Sequence, residues 1–595
     1  MQINLVEFYI EKRDSFIRYE AQLAKKIKRI AFFRLLAFSG IAFSLIYLTR
    51  FGVFPGVLAA LSSLAFFLFL VKRHIRFEKL KKRCGILSGL AKDELKALNH
   101  DFSHFNNGKE FIDPGHDFSY DLDLFGEGSL FQFINRTSTL SGGKKLAALL
   151  ISPPIDKEEI EKRQESIKEL SGYPEWRMQF LASGNMFDET ERQHDAVAAW
   201  PDKEFRFNRY GLIGYLRWVI PAITLASLLP GLLGMTWLFF ALCVFVQLSF
   251  VYFYRHRIKE YFRFFGEKSL LIEKYVSLLS EIENRGFSSE WLKEMQQAIS
   301  KPSSACKTIK ELGSLVKEFE FGRHLLAGLF LNSIFLWDVR CIYNLREWHL
   351  KNRKKLINWL EVIENIDAVI SLANFSNNNP GFVYPQVKEG RFIFESEQLG
   401  HPLLNPQKRV CSDFKVGGFP EVIIVTGANM AGKSTFLRTV GVNMVLSRLG
   451  APVCATKYVF TPIGLYTNMR TTDSLLKDES YFFAELKRLS FALERLRGGE
   501  KLFVILDEIL KGTNSADKLN GSKELVKQLA KLKAVTLIAT HDLKLAEIGN
   551  ELPAVKNKCF EIHIKDDELT FDYRLTEGVT KSMNATFLMK KMGII

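Results

Sequence analysis

The sequence predicts an α/β domain at the C-terminal end of the chain, preceded by a mainly α-helical region that contains two transmembrane helical hairpins. Three observations support this fold class. A glycine-rich loop pattern at 427–434 stands between a β-branched run and a helical segment, as in domains that hold phosphate groups. Two further apolar runs, 502–506 and 534–540, are followed by acidic residues or histidine. Long uncharged stretches lie upstream, at 51–71 and 218–254.

Length and composition narrow the classes of protein. A chain of 595 residues is too long for one hydrophobic core, so we expect several domains. The formal net charge of +15 suits either nucleic acid or anionic lipid, and the position of the charges must decide between them. The 7 cysteines are scattered without a Cys-x-x-Cys pair. This spacing predicts reduced thiols, and neither a structural zinc site nor a disulfide framework.

The uncharged stretches are interpreted as two membrane hairpins. The first has spans at about 30–49 and 51–71, with a glycine and a proline at the turn. The second has spans at about 210–229 and 234–254, separated by a Pro-Gly pair. The alternative is a pair of buried core helices, but a soluble core helix rarely runs so far without a charged residue.

Basic residues flank both hairpins and are nearly absent from the loops inside them. By the positive-inside rule, the N-terminus and the C-terminal domain lie in the cytoplasm, and the chain is a multi-pass protein of the inner (cytoplasmic) membrane. Lipid headgroups then account for much of the net charge, so basic charge alone is weak evidence for DNA binding. The flanking residues are Lys25, Lys26, Lys28, Arg29, Lys72, Arg73, Arg76, Lys79, Lys81, Lys82, Arg83, Arg206, Arg209, Arg255, Arg257 and Lys259.

The loop at 427–434 has the pattern G-x4-G-K-S, and it follows the strand-like run 421–426. Its glycines let backbone N–H groups approach phosphate oxygens, and the start of the next helix adds a positive dipole end. Lys433 is placed to reach the β- and γ-phosphates, and Ser434 to bind Mg²⁺. The predicted nucleotide-binding residues are Gly427, Ala428, Asn429, Met430, Ala431, Gly432, Lys433, Ser434 and Thr435.

The apolar run that ends in Asp507-Glu508 has the Walker B arrangement. Asp507 is expected to hold Mg²⁺, and Glu508 to orient and deprotonate the attacking water. The third run ends at His541, which is predicted to sense the γ-phosphate; a histidine that only caps the next helix is the alternative. These motifs predict an ATPase that uses ATP and Mg²⁺, with Glu508 and His541 as its catalytic residues.

The motifs resemble those of the MutS mismatch-repair ATPases, so the C-terminal part is expected to be a P-loop NTPase domain of the ABC/MutS type. TGANMAGKSTFLR at 426–438 is similar to the family's usual TGPNMAGKST, with Ala428 in place of proline as the one departure. Upstream, 128–163 and 366–385 resemble the stretches that open and close the family's helical lever. Further similar segments are Asp473 with Ser480 to Glu485, Asp507 to Asp517, Ala539 to His541, Leu575 to Ser582, and His401 to Leu403.

The resemblance implies a homodimer in which two ATPase domains pair head to tail, with Ser480 acting on the nucleotide of the other subunit. It also implies ATP-dependent DNA binding in mismatch repair or DNA damage sensing. Two departures qualify this. Residues 1–100 hold a charged helix and a hairpin instead of the mismatch-reading domain, and the second hairpin occupies the interval of the DNA clamp. The sequence is therefore identified as a membrane-anchored member that lacks the mismatch-reading N-terminal domain.

Two other functions fit parts of the pattern. A membrane-bound, ATP-driven dimer could act on a protein partner without DNA, because the clamp interval is altered. An ABC-type transporter would share the four spans, and 140–144 reads Leu-Ser-Gly-Gly-Lys like the transporter signature. That signature belongs between the P-loop and the Walker B motif, but here it lies far upstream of both. The spans also lack an embedded Asp, Glu or Lys that would mark a translocation path.

The predicted division has five parts, and it suggests how they move. ATP binding is expected to close two ATPase domains, and hydrolysis to reopen them and move the levers. The parts are an N-terminal helix with the first hairpin (1–100), the first part of a MutS-like lever (101–205), the second hairpin (206–256), the second part of the lever (257–386) and the MutS-type ATPase domain (387–595).

Overall fold

Helices form the chain up to residue 378, and two β-sheets with flanking helices form the C-terminal domain. The structure is a computed structural model, and it describes residues 4–51, 53–200, 203, 210–266, 268–428, 430–470, 481–510, 514–565 and 568–580. The predicted combination of a mainly helical region and an α/β domain is present.

Two long helices form the N-terminal hairpin, α1 (Leu5–Phe51) and α2 (Val53–Leu98). They run antiparallel, since Gly40 faces Ser63 across the pair. Each helix is about 70 Å long at 1.5 Å per residue. The predicted spans are therefore the distal halves of two helices that continue well beyond any membrane thickness.

The two halves of this hairpin have different environments. The distal half exposes large apolar side chains, including Phe43 at 68% and Phe54 at 81%. The proximal half packs on the helical core through an apolar cluster of Phe8, Tyr9, Leu87, Ala91, Met178 and Ala182. The hairpin is thus anchored on the core at one end and leaves its apolar end uncovered.

The helical core gathers around one long helix, α16 (Trp337–Asn378), of 42 residues. Local caps explain where several helices begin; Thr139, for example, accepts a hydrogen bond from the Gly142 N–H at 2.9 Å. The helices before the second hairpin are α3 (Leu130–Ile134), α4 (Leu140–Ile151), α5 (Lys157–Ser171), α6 (Pro174–Gly184) and α7 (Glu191–Ala198). Those after it, up to α16, include α11 (Arg255–Phe265), α12 (Ser269–Glu283), α13 (Glu290–Ser300) and α14 (Ala305–Phe321).

The second hairpin is part of a bundle of apolar helices: α8 (Tyr210–Ala226), α9 (Leu228–Leu232), α10 (Leu238–Phe253) and α15 (Leu325–Phe335). Helix α15 contacts both α8 and α10. The sequence interpretation assigned 257–386 to the lever and did not foresee an apolar helix there. Its exposed side chains include Leu325 at 86% and Leu326 at 82%, so it extends the uncovered apolar surface of the hairpin.

A buried polar side chain ties this bundle together. Gln247 on α10 is fully buried, and its amide nitrogen donates to the Thr224 hydroxyl and, at 3.2 Å, to the Ile334 carbonyl. Its oxygen accepts the Leu336 N–H at 3.2 Å. Three helices are thereby joined around one amide in apolar surroundings. A polar group buried there without a hydrogen bond would be costly, so these bonds stabilise the bundle.

Among the described residues, two helical segments are long and apolar enough to cross a membrane, Phe54–Leu98 and Gly211–Leu232. Two bent pairs raise the number to four if each is one span. These are Leu238–Phe253 with Arg255–Phe265, bent by 59°, and Leu325–Phe335 with Trp337–Asn378, bent by 83°. Several side chains of the predicted span 30–49 lie outside the described set. The transmembrane assignment of both hairpins stays a prediction.

The C-terminal domain contains a four-stranded and a six-stranded sheet. In the larger sheet, the described neighbouring strands are parallel, except for the antiparallel pair at one edge. The smaller sheet has the order β1 (Gln386–Val387), β5 (Lys457–Phe460), β2 (Phe394–Leu399), β3 (Ser412–Val416). The larger has the order β10 (Glu568–Glu577), β9 (Val555–Lys565), β4 (Glu421–Thr426), β8 (Val535–Thr540), β7 (Leu502–Asp507), β6 (Gly464–Asn468). The flanking helices are α17 (Lys433–Arg448), α18 (Tyr481–Arg497), α19 (Ser515–Lys531) and α20 (Leu543–Ala546).

Candidate nucleotide site

The three predicted nucleotide motifs meet at one edge of the six-stranded sheet. Strands β4, β8 and β7 are neighbours and parallel, so their carboxyl ends lie side by side. All residues of β4 and β8 are buried, which is why their sequences are nearly continuous apolar runs. The loop after β4, the acidic pair after β7 and the histidine after β8 are therefore brought together by the sheet alone.

The loop between β4 and α17 adopts a conformation that depends on glycine. Gly432 has φ 101°, and a side chain there would lie 3.1 Å from a ring carbon of Tyr573. Met430 has φ 68° and is exposed. The first turn of α17 places Ser434 and Thr435 at the loop mouth, where both line a cavity. Asn429 lies outside the described residues.

Lys433 is buried at the centre of this loop. Its Nζ donates to the carbonyls of Gly427 at 2.8 Å and Ala428 at 2.9 Å. Burial lowers the pKa of Lys433, and the nearby carboxylates of Glu508 and Asp507 oppose that shift. The ammonium group therefore lies between the loop and the acidic pair, and its contact with the β- and γ-phosphates stays a prediction.

Asp507 and Glu508 end β7 in different environments. Asp507 Oδ1 is buried and has no hydrogen-bond partner among the described residues, which suits a ligand for Mg²⁺. Glu508 has a left-handed backbone with φ 54°, a strained conformation for a side-chain-bearing residue. Its N–H donates to the Ala539 carbonyl at 2.9 Å, which fixes the Glu508 backbone to strand β8.

His541 lies beside Glu508. The distance from His541 Nδ1 to Glu508 Oε1 is 3.1 Å. The alternative role, as a cap of the next helix, belongs to its neighbour: the Asp542 side chain accepts the Lys544 N–H at 3.0 Å at the start of α20. His541 is therefore available to hold the Glu508 carboxylate.

A cavity of about 430 Å³ opens at the loop. Its polar lining includes Lys433, Ser434, Thr435 and Glu508. Its apolar lining was not predicted and includes Leu399, Leu404, Val410, Phe560 and Tyr573, with His401 beside them in the lining. Charged groups next to apolar side chains suit a nucleotide, which carries both phosphates and a flat base.

His401 also lines the cavity, and the sequence had singled it out as part of its His-Pro-Leu motif. Burial lowers its pKa to about 4, and the positive charges of Arg438 and Arg409 act in the same direction. The imidazole is therefore neutral at pH 7. The motif marked the position, but the contact with the cavity depends on the fold of residues far apart in sequence.

The predicted trans-acting residue Ser480 lies outside the described residues, as do Asp473, Gly512, Thr513 and Ser582. The helix that follows Ser480 is described, and its Glu485 is buried. The Glu485 carboxylate accepts the Leu510 N–H at 2.6 Å. This bond ties helix α18 to the loop after Glu508.

Two aspartates of the helical core, not foreseen as functional, hold the end of strand β6. Asp121 is fully buried and accepts hydrogen bonds from the Thr467 hydroxyl at 2.7 Å and the Arg470 N–H at 2.8 Å. Asp123 receives two bonds from the Arg470 guanidinium, at 2.5 and 2.9 Å. These bonds join the core to the end of strand β6 in the C-terminal domain. The Asp-x-Asp spacing is the sequence signal that could have identified them.

Family comparisons match both parts of the chain. Residues 423–590 match MutS domain V, and residues 116–197 match MutS domain III. The DNA mismatch repair protein MutS of Aquifex pyrophilus is 32% identical over 255 residues, which are 42% of this chain and 29% of that protein. MutS of Thermotoga petrophila is 28% identical over 41% of this chain and 30% of its own length. The human MutS protein homolog 4 is 27% identical over 38% of this chain and 24% of its own length. Each match thus spans less than a third of the relative.

Proposed function

The chain belongs to the MutS family, of which it carries domains III and V, and we propose that it is a membrane-anchored ATPase that binds DNA in an ATP-dependent manner, in mismatch repair or DNA damage sensing. One observation carries the ATPase proposal: Lys433, Asp507 and the Glu508–His541 pair converge at one sheet edge. Nucleotide hydrolysis needs a phosphate-binding cation, a metal ligand and a base that orients water, and these side chains supply all three.

In this proposal each residue has a defined task. Lys433 exchanges its two loop carbonyls for phosphate oxygens. Ser434 and Asp507 would hold Mg²⁺, which when bound neutralises charge on the β- and γ-phosphates. Glu508 accepts a proton from the water whose oxygen attacks the γ-phosphorus, while the bond to the bridging oxygen breaks and ADP leaves. His541 is a positioning residue, since it reaches the Glu508 carboxylate.

The site assignment is tested with two variants. Lys433→Ala should abolish nucleotide binding, because it removes the loop lysine that is predicted to bind the phosphates. Glu508→Gln should bind ATP normally and hydrolyse it at least ~100-fold more slowly, because a general base typically contributes a factor of about 100 or more to the rate. Fluorescent-nucleotide titration and phosphate release measure the two effects. Undiminished hydrolysis in either variant would refute the assignment.

The proposed assembly is a homodimer with composite sites, in which Ser480 reaches the nucleotide of the second subunit. The resemblance of Asp473, and of the segment from Ser480 to Glu485, to the MutS motif that acts across the dimer supports it. Sedimentation of Glu508→Gln with and without ATP tests the dimer. A monomer with ATP bound would contradict it.

Membrane anchoring rests on the exposed apolar side chains of α2, α8, α10 and α15. Phe54, Tyr215, Leu238 and Leu325 are each more than two-thirds exposed, one on each of these helices. A water-soluble surface rarely carries so large an apolar area. The proposal places the protein in the inner membrane with the ATPase domain in the cytoplasm. Recovery of the protein in the soluble fraction without detergent would refute it.

DNA binding is tested with the purified protein in nanodiscs. ATP hydrolysis and DNA binding are measured with homoduplex, mismatched and branched DNA, with Glu508→Gln as the ATP-trapped form. We expect one DNA class to bind in the ATP state and to change the hydrolysis rate. If no DNA binds or stimulates in either nucleotide state, the DNA part of the proposal fails and the ATPase part stands.

The same experiment separates the second candidate, a membrane-bound dimer that drives a protein partner without DNA. The observation in its favour is the apolar bundle between the two halves of the lever, where relatives in this family would carry a DNA clamp. The transporter alternative has no such support. The Leu-Ser-Gly-Gly-Lys run lies in the first turns of α4, where Gly142 packs against the buried Asp367 and has a structural role.

A further inference from the structure

A groove of about 410 Å³ lies where the N-terminal hairpin meets the helical core. Its hairpin wall is one face of α2, and its opposite wall comes from α6 and α12, through Ser183 and Ser277 among others. The hairpin wall carries four basic side chains at helical spacing: Lys72, Arg76, Lys79 and Arg83. No part of the nucleotide site contributes to this groove, so its charge needs a separate explanation.

At the end of the groove farther from the apolar stretch of α2, the positive charges of Lys79 and Arg83 are neutralised by side chains of the core. Lys79 forms an ion pair with Glu273 at 3.0 Å, and Glu273 also binds Lys317. Arg83 bonds to Gln179 at 2.7 Å and to Glu281 at 2.9 Å. These contacts fix both cations in place.

At the end nearer the apolar stretch of α2, the basic side chains are not neutralised by the described residues. Lys72 and Arg76 are exposed, and neither has a hydrogen-bond or ion-pair partner within the part of the chain that the structure describes. Two cations one helical turn apart thus face the same groove with their charge uncompensated. An Arg beside a Lys is a suitable pair for a phosphate, since the guanidinium offers two parallel donors and the ammonium a compact charge.

The position of these cations identifies the source of the phosphate. Lys72 comes directly after the apolar stretch 54–71, and Arg76 lies about 6 Å further along the helix. The headgroup layer on each side of a bilayer is also about 6 Å thick. If 54–71 spans the membrane, both cations lie at headgroup depth. A DNA duplex would meet the bilayer at this height.

We propose that this groove binds the phosphate of an anionic phospholipid headgroup, held by Lys72 and Arg76 and lined by Ser183, Ser277 and Phe187. The inference rests on the proposed membrane anchoring and goes beyond it. It replaces a diffuse attraction between basic flanks and lipid by one defined site. The lipid would brace the hairpin against α12, because both walls of the groove would touch the same headgroup.

The test uses the full-length protein in detergent micelles and a fluorescent phosphatidylglycerol as the probe. The double variant Lys72→Gln/Arg76→Gln is compared with Lys25→Gln/Lys26→Gln, which removes the same charge from exposed positions on α1 outside the groove. We expect the groove variant to bind phosphatidylglycerol about 10- to 30-fold more weakly, because both charged donors to the phosphate are lost. The α1 variant should stay within about twofold of the wild type, because Lys25 and Lys26 do not line the groove.

Competition identifies the ligand. Unlabelled phosphatidylglycerol should displace the probe, whereas phosphatidylcholine, inorganic phosphate and duplex DNA should not. Equal losses in both double variants, or no loss in either, would overturn the site. Displacement by inorganic phosphate would indicate a free-phosphate site, and displacement by DNA a DNA contact; each overturns the lipid assignment. ATP hydrolysis by the variants reports their folding, and solubility without detergent would instead refute the anchoring itself.

Discussion

The two ends of helix α16 are held in different ways. Toward its C-terminal end, Asp367 is fully buried and accepts hydrogen bonds from the backbone and hydroxyl groups of both Ser138 and Thr139. About two and three helical turns further on, Asn374 and Asn378 donate to Glu94 of the N-terminal hairpin, at 2.7 and 2.6 Å. This end is fixed to two other parts of the molecule by buried polar bonds.

The N-terminal end is a bent joint. The chain turns by 83° from α15 into α16, and Leu336 at the bend has φ 49°. Among the described residues, its polar bonds are single ones: Gln247 accepts the Leu336 N–H, Asn332 accepts the Asp338 N–H at 3.0 Å, and the Trp337 indole N–H donates to the Glu318 carbonyl at 2.9 Å. The contrast indicates that the lever is fixed beside the ATPase domain and jointed beside the apolar bundle.

Removing Asp367 is expected to have the largest effect. Asp367→Ala leaves several buried donors of Ser138 and Thr139 without an acceptor, so the free energy of unfolding should fall by about 3–5 kcal/mol. Asp338→Ala, on the same helix at the joint, is the matched control. Its Oδ1 is buried without a hydrogen-bond partner among the described residues, so its loss should cost about 1 kcal/mol or less. Chemical denaturation in detergent measures both; equal losses would remove the contrast.

The pH dependence at the fixed end is the next largest effect. Burial raises the pKa of Asp367 to about 6, against the opposing hydrogen bonds from Thr139 and Ser138. The folded state therefore favours the protonated acid, and this contribution to stability is complete below about pH 4 and lost as the pH rises through 6. Relative to Asp367→Asn, the wild type should lose about 2–3 kcal/mol between pH 4 and pH 7. A difference that does not change with pH would contradict the assigned burial.

Gln247 sharpens the comparison at the other end. Gln247→Leu removes the bonds to Thr224, Ile334 and Leu336, and should cost about 1 kcal/mol, because polar bonds between apolar helices are individually weak. Thr224→Val, which removes one partner only, should cost less. Thermal denaturation in detergent measures both variants. A loss as large as that of Asp367→Ala would mean that the bundle end is fixed as firmly as the other.

The nucleotide motifs could be predicted because their chemistry is local. A strand, a glycine loop and a helix lie within 421–448, and the parallel sheet then brings Asp507, Glu508 and His541 to the same edge. The resemblance to the MutS family and the presence of an α/β domain were both predicted from these residues. Their roles in hydrolysis, and that of Ser480 outside the described residues, stay predictions.

Other features escaped sequence reasoning for physical reasons. Helix α15 has 11 residues, too short for a membrane span, and its apolar character gave no signal by length. The bonds of Asp367 join residues 229 apart in sequence, which no local pattern reveals. Nothing in the sequence indicated that the predicted spans 30–49 and 51–71 continue without a break into charged helix that packs on the core, because those contacts join residues far apart in sequence.

Because α16 is one uninterrupted helix, it carries rotational phase as well as distance. It is 42 residues long, about 63 Å, and each residue advances the helix by about 100°. One residue inserted between Asp338 and Asp367 would turn the joint away from its partners at the fixed end, whereas seven would restore the facing to within about 20°. The length of α16 therefore sets the relative rotation of the apolar bundle and the fixed end, and only insertions close to a whole number of helical turns would preserve it.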